Sequence, residues 1–283
     1  MVLASQLVSR IRVRASVARE LLVATYLGYR DRRAFDEVEV FCLFIGYPRS
    51  GHSLVGSLLD AHPDIVLSHE LDAMKFIRTG LVGRNQLFAL VMRKDQQFTG
   101  EGRRWTYGFD YSVPGQWQGR HRNLRVIGDK KGGATTTWLA REPDLLTKLE
   151  AMVDADLRLI HVTRHPLDNI ASMHRRGAGS LKECAALYLS MCATNDALRR
   201  RDGVLVRDVR HEDLVADPAP VLIELCRFLG LEAEPQYLAA CAAVLYSAPH
   251  RSRDAVEWPP GLVDDVSNAI ETYDFLRGYG FDL

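Results

Sequence analysis

Four short, mainly apolar runs punctuate the chain, at residues 40–45, 124–128, 157–163 and 203–210. Each is too short for an ordinary globular helix and is bounded by polar or glycine-containing turns, which reads as a buried strand. Between them apolar residues return every three or four positions, at 53–61, 71–78, 84–95, 137–154, 166–176, 180–201 and 217–229. That is the period of a helix with one buried face. Strands alternating with helices predict an α/β fold, a three-layer α/β/α arrangement around a central, mainly parallel sheet.

Two stretches break the alternation. Residues 98–123 are rich in Gly, Arg and aromatics, and Trp105, Tyr107, Phe109 and Tyr111 alternate, with Trp117 following. If extended, the alternating four line one face, so this insertion could wall a pocket, and core packing serves any one of them equally well. From Ala233 the chain reads as helices with a Pro/Arg-rich break at 249–260. At the other end, residues 2–29 read as a basic amphipathic helix, with Leu3, Leu7, Ile11, Ala18 and Leu22 near helical spacing. The expected organisation is an N-terminal helical extension, 1–36, and one domain, 37–283.

Composition narrows the classes. An apolar share of 47% over 283 residues supports a real core. A net charge of zero argues against a dedicated nucleic-acid binder. Only six of the 36 cations are lysine, and arginine suits bidentate anion recognition. Cys42, Cys184, Cys192, Cys226 and Cys241 are unclustered among apolar neighbours and read as reduced core thiols. No metal-ligand spacing occurs among the nine histidines, so no metal is expected. No apolar run reaches transmembrane length, and Arg10, Arg12, Arg14 and Arg19 interrupt any leader core. The expectation is a cytoplasmic protein. Its N-terminal helix is expected to pack on the body or on a second subunit, with peripheral membrane contact as the alternative.

The chemistry starts in the first strand. Gly46-x-x-x-x-Gly51-His52-Ser53 has the spacing of a nucleotide P-loop, but the lysine that reaches terminal phosphates is His52, and a cation stands inside the loop at Arg49. A glycine-flanked loop opening a helix aims N–H groups at an anion. Arg164 ends another strand, Pro166 opens the next helix, and Ser172 and Arg176 share a face of it four residues apart. Together they form a candidate second phosphate site.

Pro48-Arg49-Ser50-Gly51-His52-Ser53-Leu54, continuing into Leu58-Leu59-Asp60-Ala61-His62-Pro63, resembles the opening of sulfotransferases that use 3′-phosphoadenosine-5′-phosphosulfate (PAPS). Motifs reading closest to the tyrosylprotein and bacterial types recur at Arg164 with Ser172, at Arg210-His211-Glu212-Asp213-Leu214 and at Phe228-Leu229-Gly230-Leu231. His52, His165 and His211 replace the threonine, aspartate and tyrosine usual at their positions. The resemblance implies a P-loop-NTPase-like fold and sulfuryl transfer from PAPS to a hydroxyl acceptor, releasing 3′,5′-ADP. It implies that Arg49 touches the oxygen bridging sulfur and phosphorus. Ser50, Gly51, His52 and Ser53 would contact the 5′-phosphate, and Arg164 with Ser172 the 3′-phosphate.

For catalysis Glu70 is the expected base, its offset from Arg49 matching the glutamate of the tyrosylprotein type; an acid favoured by a helix N-terminus is the plainer reading. His69 is the rival, and His121 a more remote one. Lys130, in Gly128-Asp129-Lys130, is either a second leaving-group cation or a solvated loop lysine. The acceptor could be a small molecule, lipid or glycan hydroxyl, or a tyrosine, and segment 98–123 is its expected wall. A small-molecule P-loop kinase and a non-catalytic nucleotide-binding module are the alternatives, and a homo-oligomer is compatible with the sequence.

Overall fold

A computed structural model of the chain describes residues 20–104, 108–245 and 250–280. Trp105 and Tyr107, and the N-terminal pattern as far as residue 19, lie outside the described residues.

Five strands, β1 (Val40–Gly46), β2 (Ile65–His69), β3 (Val126–Lys130), β4 (Asp156–Thr163) and β5 (Leu205–Arg210), form one sheet in the order β2-β3-β1-β4-β5. Every neighbouring pair is parallel. Side chains alternate across β1, as a pleated strand requires. Phe41, Leu43 and Ile45 enter one core with residues of α3 (Ala73–Thr79), α4 (Arg84–Gly100) and α6 (Asp144–Val153). Val40, Cys42 and Phe44 enter another with α2 (His52–Asp60), α9 (His211–Ala216), α10 (Pro218–Phe228) and α11 (Pro235–Ala243). Helices therefore cover both faces, which is why the central strand is apolar at every position. A third cluster joins Tyr47 to α7 (Pro166–Arg175), α8 (Leu181–Arg199) and α12 (Leu262–Ile270). All five cysteines are buried and free.

The structure departs from the sequence reading in two places. Strand β2 was not among the four expected strands. Its five residues, Ile-Val-Leu-Ser-His, are too few for a period to show, and only pairing with β3 makes them a strand. The single helix expected over 137–154 is two, α5 (Gly133–Arg141) and α6, because Pro143 cannot continue a helix. Among its described residues, the segment after α4 makes an isolated antiparallel bridge between Arg104 and Asp110. It is tied down by Arg103, whose guanidinium pairs with buried Asp60 at 2.6 Å and Asp95 at 2.8 Å. The described N-terminal residues 20–30 form helix α1, packed beside α3 and α4.

Candidate functional site

All five strands point the same way, so their carboxyl ends share one edge, where open α/β sheets bind ligands. From that end of β1 the chain turns through Tyr47–Gly51. Arg49 holds φ +71° and Gly51 φ +92°, so the turn is left-handed twice. Only glycine fits position 51, where a Cβ would stand 2.4 Å from the His211 Nδ1. Gly51 is also the N-cap of α2 and lends no side-chain cap, which leaves the leading N–H groups of that helix open to an anion. Two side chains pin the loop. The Asn169 amide donates to the Pro48 carbonyl at 2.8 Å, and the Gly46 N–H donates to the Thr136 hydroxyl at 2.9 Å. Ser50 is buried, with its hydroxyl 3.2 Å from His52 Nδ1. Burial and the nearby Lys130 push His52 down to about 3, and burial with Arg164 pushes His211 down to about 4. Both imidazoles are neutral at pH 7.

The two anion elements that the sequence showed separately are one patch. The Arg49 Nε lies 3.4 Å from the Ser172 hydroxyl, and Arg164 donates to the Arg49 carbonyl at 3.4 Å and to that of His250. Burial and Arg49 both oppose the charge on Arg164, while Asp168 and Glu212 support it, so its pKa is lowered. Cations held this close with little water are a place for a multivalent anion. α7 ends at Arg175, and Arg176 is its exposed C-cap, one turn after Ser172.

Beside the loop stands a buried ammonium. Lys130 is 1% exposed, and its Nζ donates to the Ser53 hydroxyl at 2.9 Å and to Glu70 Oε1 at 3.2 Å. Lys131 reaches Glu70 Oε2 at 3.0 Å. Lys130 is therefore not a solvated loop lysine. Burial lowers it to about 8 despite Glu70. Burial also pushes Glu70 up, but Lys130 and Lys131 outweigh that and hold it at about 2. The two directions agree physically: the lysine is wholly desolvated, whereas the carboxylate keeps some water and has two cations. Glu70 follows β2 directly at φ +63°, its N–H on the Lys130 carbonyl at 3.1 Å, so the unforeseen strand is what aims it. His69 is buried, stacked on the Phe98 ring at 4.0 Å with Tyr111 at 5.7 Å. Burial and Lys130 drive its pKa to about 2, so it resists protonation.

Gly56 makes room for the lysine, since a Cβ there would meet the Lys130 Cγ at 2.7 Å. Gly56→Ala favours helix α2 by roughly 1 kcal/mol of propensity but must displace the lysine stem. We expect little loss in melting temperature and at least about a tenfold loss of turnover, since a small misplacement of a catalytic group is costly. A fully active variant would show that the position of Lys130 does not matter.

Several contributors escaped the sequence reading. Lys131 and Asn169 were not among the candidates. The C-terminal third clasps the site: Arg253 pairs with Asp168 at 2.6 Å, His165 Nε2 donates to the Gly280 carbonyl at 2.6 Å, and the Tyr279 hydroxyl donates to Glu212 at 2.9 Å. Spacing along the sequence does not say where a C-terminal tail returns, which is why this clasp escaped the reading.

No curated protein matches this sequence. Among solved structures the chain is similar to the sulfotransferase domain from the curacin biosynthetic pathway, with 18% identity and TM-score 0.51 over 84% of this chain and 99% of that one. It is similar to the sulfotransferase domain of the Synechococcus PCC 7002 olefin synthase, with 18% identity and TM-score 0.51 over 83% and 94%. A sulfotransferase from Mycobacterium avium aligns at 10% identity and TM-score 0.50 over 93% and 85%. At such identities these show a shared P-loop-like fold. The sequence itself matches the sulfotransferase family over residues 42–235, a span that contains the loop, Glu70, Lys130, Arg164 and Ser172, and the chain belongs to that family.

Proposed function

We propose that this protein moves a sulfuryl group from PAPS to a hydroxyl acceptor and releases 3′,5′-ADP. The observation that carries this reading is the convergence of Arg49, Lys130 and Arg164 around an uncapped helix N-terminus, with a carboxylate within reach of the same lysine. A donor with a 5′-phosphosulfate and a 3′-phosphate needs two anion sites and a cation at the leaving oxygen. The N-terminus of α2, with Ser50, Gly51, His52 and Ser53, suits the 5′-phosphate. Arg164 and Ser172 suit the 3′-phosphate, and Arg49 and Lys130 suit the bridging oxygen. The acceptor oxygen bonds to sulfur in line with the breaking bond between sulfur and the phosphate oxygen, and Glu70 takes the acceptor proton. Neutral His52 and His211 can donate to an anion without carrying charge. The aromatic segment 98–123, which brings Tyr111 against His69, walls the acceptor side.

Binding tests this most directly. 3′,5′-ADP at about 100 times its dissociation constant should stabilise the fold by about 2.7 kcal/mol and raise the melting temperature by several degrees, without metal. Arg49→Ala and Arg164→Ala should each remove most of that shift. A shift with ATP–Mg²⁺ alone would turn the assignment to a kinase.

A further inference from the structure

Helix α1 is held to the body by one face. Ala24 is buried with Phe76, Val82 and Leu90, and Leu21 packs at the edge of that cluster. Gly28 lies where the helix crosses the start of α4, and a Cβ there would meet the Asn85 carbonyl oxygen at 2.9 Å. Gln86 adds a hydrogen bond to the Thr25 hydroxyl at 2.9 Å. These contacts settle which way the helix is turned. Leu22, Tyr26 and Tyr29 face outward, exposed by 74, 66 and 70%, and are the three most exposed large apolar side chains among the described residues. Spaced by four and three positions, they lie along one stripe. Single exposed apolar residues are ordinary, but a row on one helix calls for a cover.

Charge decides what the cover is. Positions 1–33 hold seven arginines against two acidic residues, whereas the whole chain is neutral, so the remainder is net acidic. The same apolar spacing runs upstream in the sequence through Ala18, Ile11, Leu7 and Leu3. At the other end of the stripe Arg32 lies 4.3 Å over the Tyr29 ring and donates to the Tyr29 carbonyl at 2.8 Å. An aromatic body with a cation at its edge suits the headgroup level of a bilayer. A second copy docking stripe to stripe would bring two sets of arginines together, at a cost in repulsion. An anionic leaflet meets them with opposite charge. We propose that the exposed face of α1 docks this protein on an anionic lipid surface. No helix among the described residues is long and apolar enough to cross a membrane, and the contact proposed lies in the interfacial plane.

Cosedimentation of the full chain with vesicles separates the outcomes. Vesicles of phosphatidylcholine with about 30% phosphatidylserine should retain the protein at least about tenfold better than phosphatidylcholine alone, because each arginine near the surface adds to the attraction. The excess should vanish in about 0.5 M salt, where charges are screened beyond a few ångström. Leu22→Glu/Tyr26→Glu/Tyr29→Glu should lose about tenfold of the binding with an unchanged melting temperature, since none of the three is buried. Arg10→Gln/Arg12→Gln/Arg14→Gln, which lowers the positive charge of the N-terminal sequence, should lose a similar factor. Equal retention on neutral and anionic vesicles, or full binding by both variants, overturns the proposal. So does a dimer in light scattering that the Leu22/Tyr26/Tyr29 variant makes monomeric, since a second copy would then cover the stripe.

Discussion

Lys130→Met is expected to lower turnover by about 10²–10³-fold, the scale of losing one preorganised group at developing charge. The lysine is wholly buried, and its ammonium lies between Ser53 of the loop and Glu70. Methionine keeps the stem and removes the charge. The fold should tolerate the change within about 1–2 kcal/mol, because a desolvated ammonium is lost while Glu70 keeps Lys131. The pH profile provides an independent readout. With Lys130 held at about 8, kcat/KM should fall as pH rises through about 8, and the residual activity of Lys130→Met should lack that limb. The sign for stability runs the other way. A folded-state value lowered from 10.5 means the ammonium is a burden to the fold at and below pH 8, and the burden is relieved as pH rises from about 8 to 10.5. A variant with wild-type turnover would remove Lys130 from the leaving-group role and leave it a structural lysine.

Glu70→Gln is expected to cost about 10²–10³-fold in kcat while the affinity for 3′,5′-ADP changes by less than about threefold, the pattern of a lost general base. In the free protein the carboxylate has a low proton affinity because two ammonium groups hold it. A bound anion competes for Lys130, which removes one of those cations and raises the proton affinity of Glu70 when the acceptor needs it. The acid limb of kcat/KM should accordingly lie far below pH 4.5, near pH 2, with the limb of kcat higher. Glu70 also stabilises the fold above pH 4.5, a contribution lost as pH falls toward 2, so Glu70→Gln should melt lower at neutral pH. If Glu70→Gln kept full kcat and His69→Ala abolished it, the base would be the imidazole against Phe98.

The comparison of sequence and structure is most instructive around this pair. Strand β1 was visible as an apolar run because a strand buried on both faces carries no polar residue to break its pattern, whereas β3, β4 and β5, which carry Asp, Lys, Arg or His, were visible from the short apolar stretches around those residues. Arg49, Ser50, Gly51, His52 and Ser53 were visible because they are consecutive and their chemistry is backbone geometry, which short spacing encodes. Arg164 and Ser172 were visible as a pair for the same reason, eight positions apart on one strand end and helix. Glu70 and Lys130 were visible only through resemblance. Sixty positions separate them, and the strand that joins them, β2, is too short to announce itself.

Local sequence therefore determined what local physics controls: the alternation of elements, the parallel sheet, the phosphate-type loop and the apolar stripe of the N-terminal segment. Tertiary structure decided what depends on pairing across the chain. It decided that Glu70 meets Lys130 and Lys131, that Gly56 clears the lysine stem, and that Arg49 and Arg164 share one patch. It also decided that α1 spends one face on the body and leaves Leu22, Tyr26 and Tyr29 outside. The reason is the same each time. Periodicity states which residues want burial or charge, but strand register and helix docking, set by the packing of distant segments, state which of them meet.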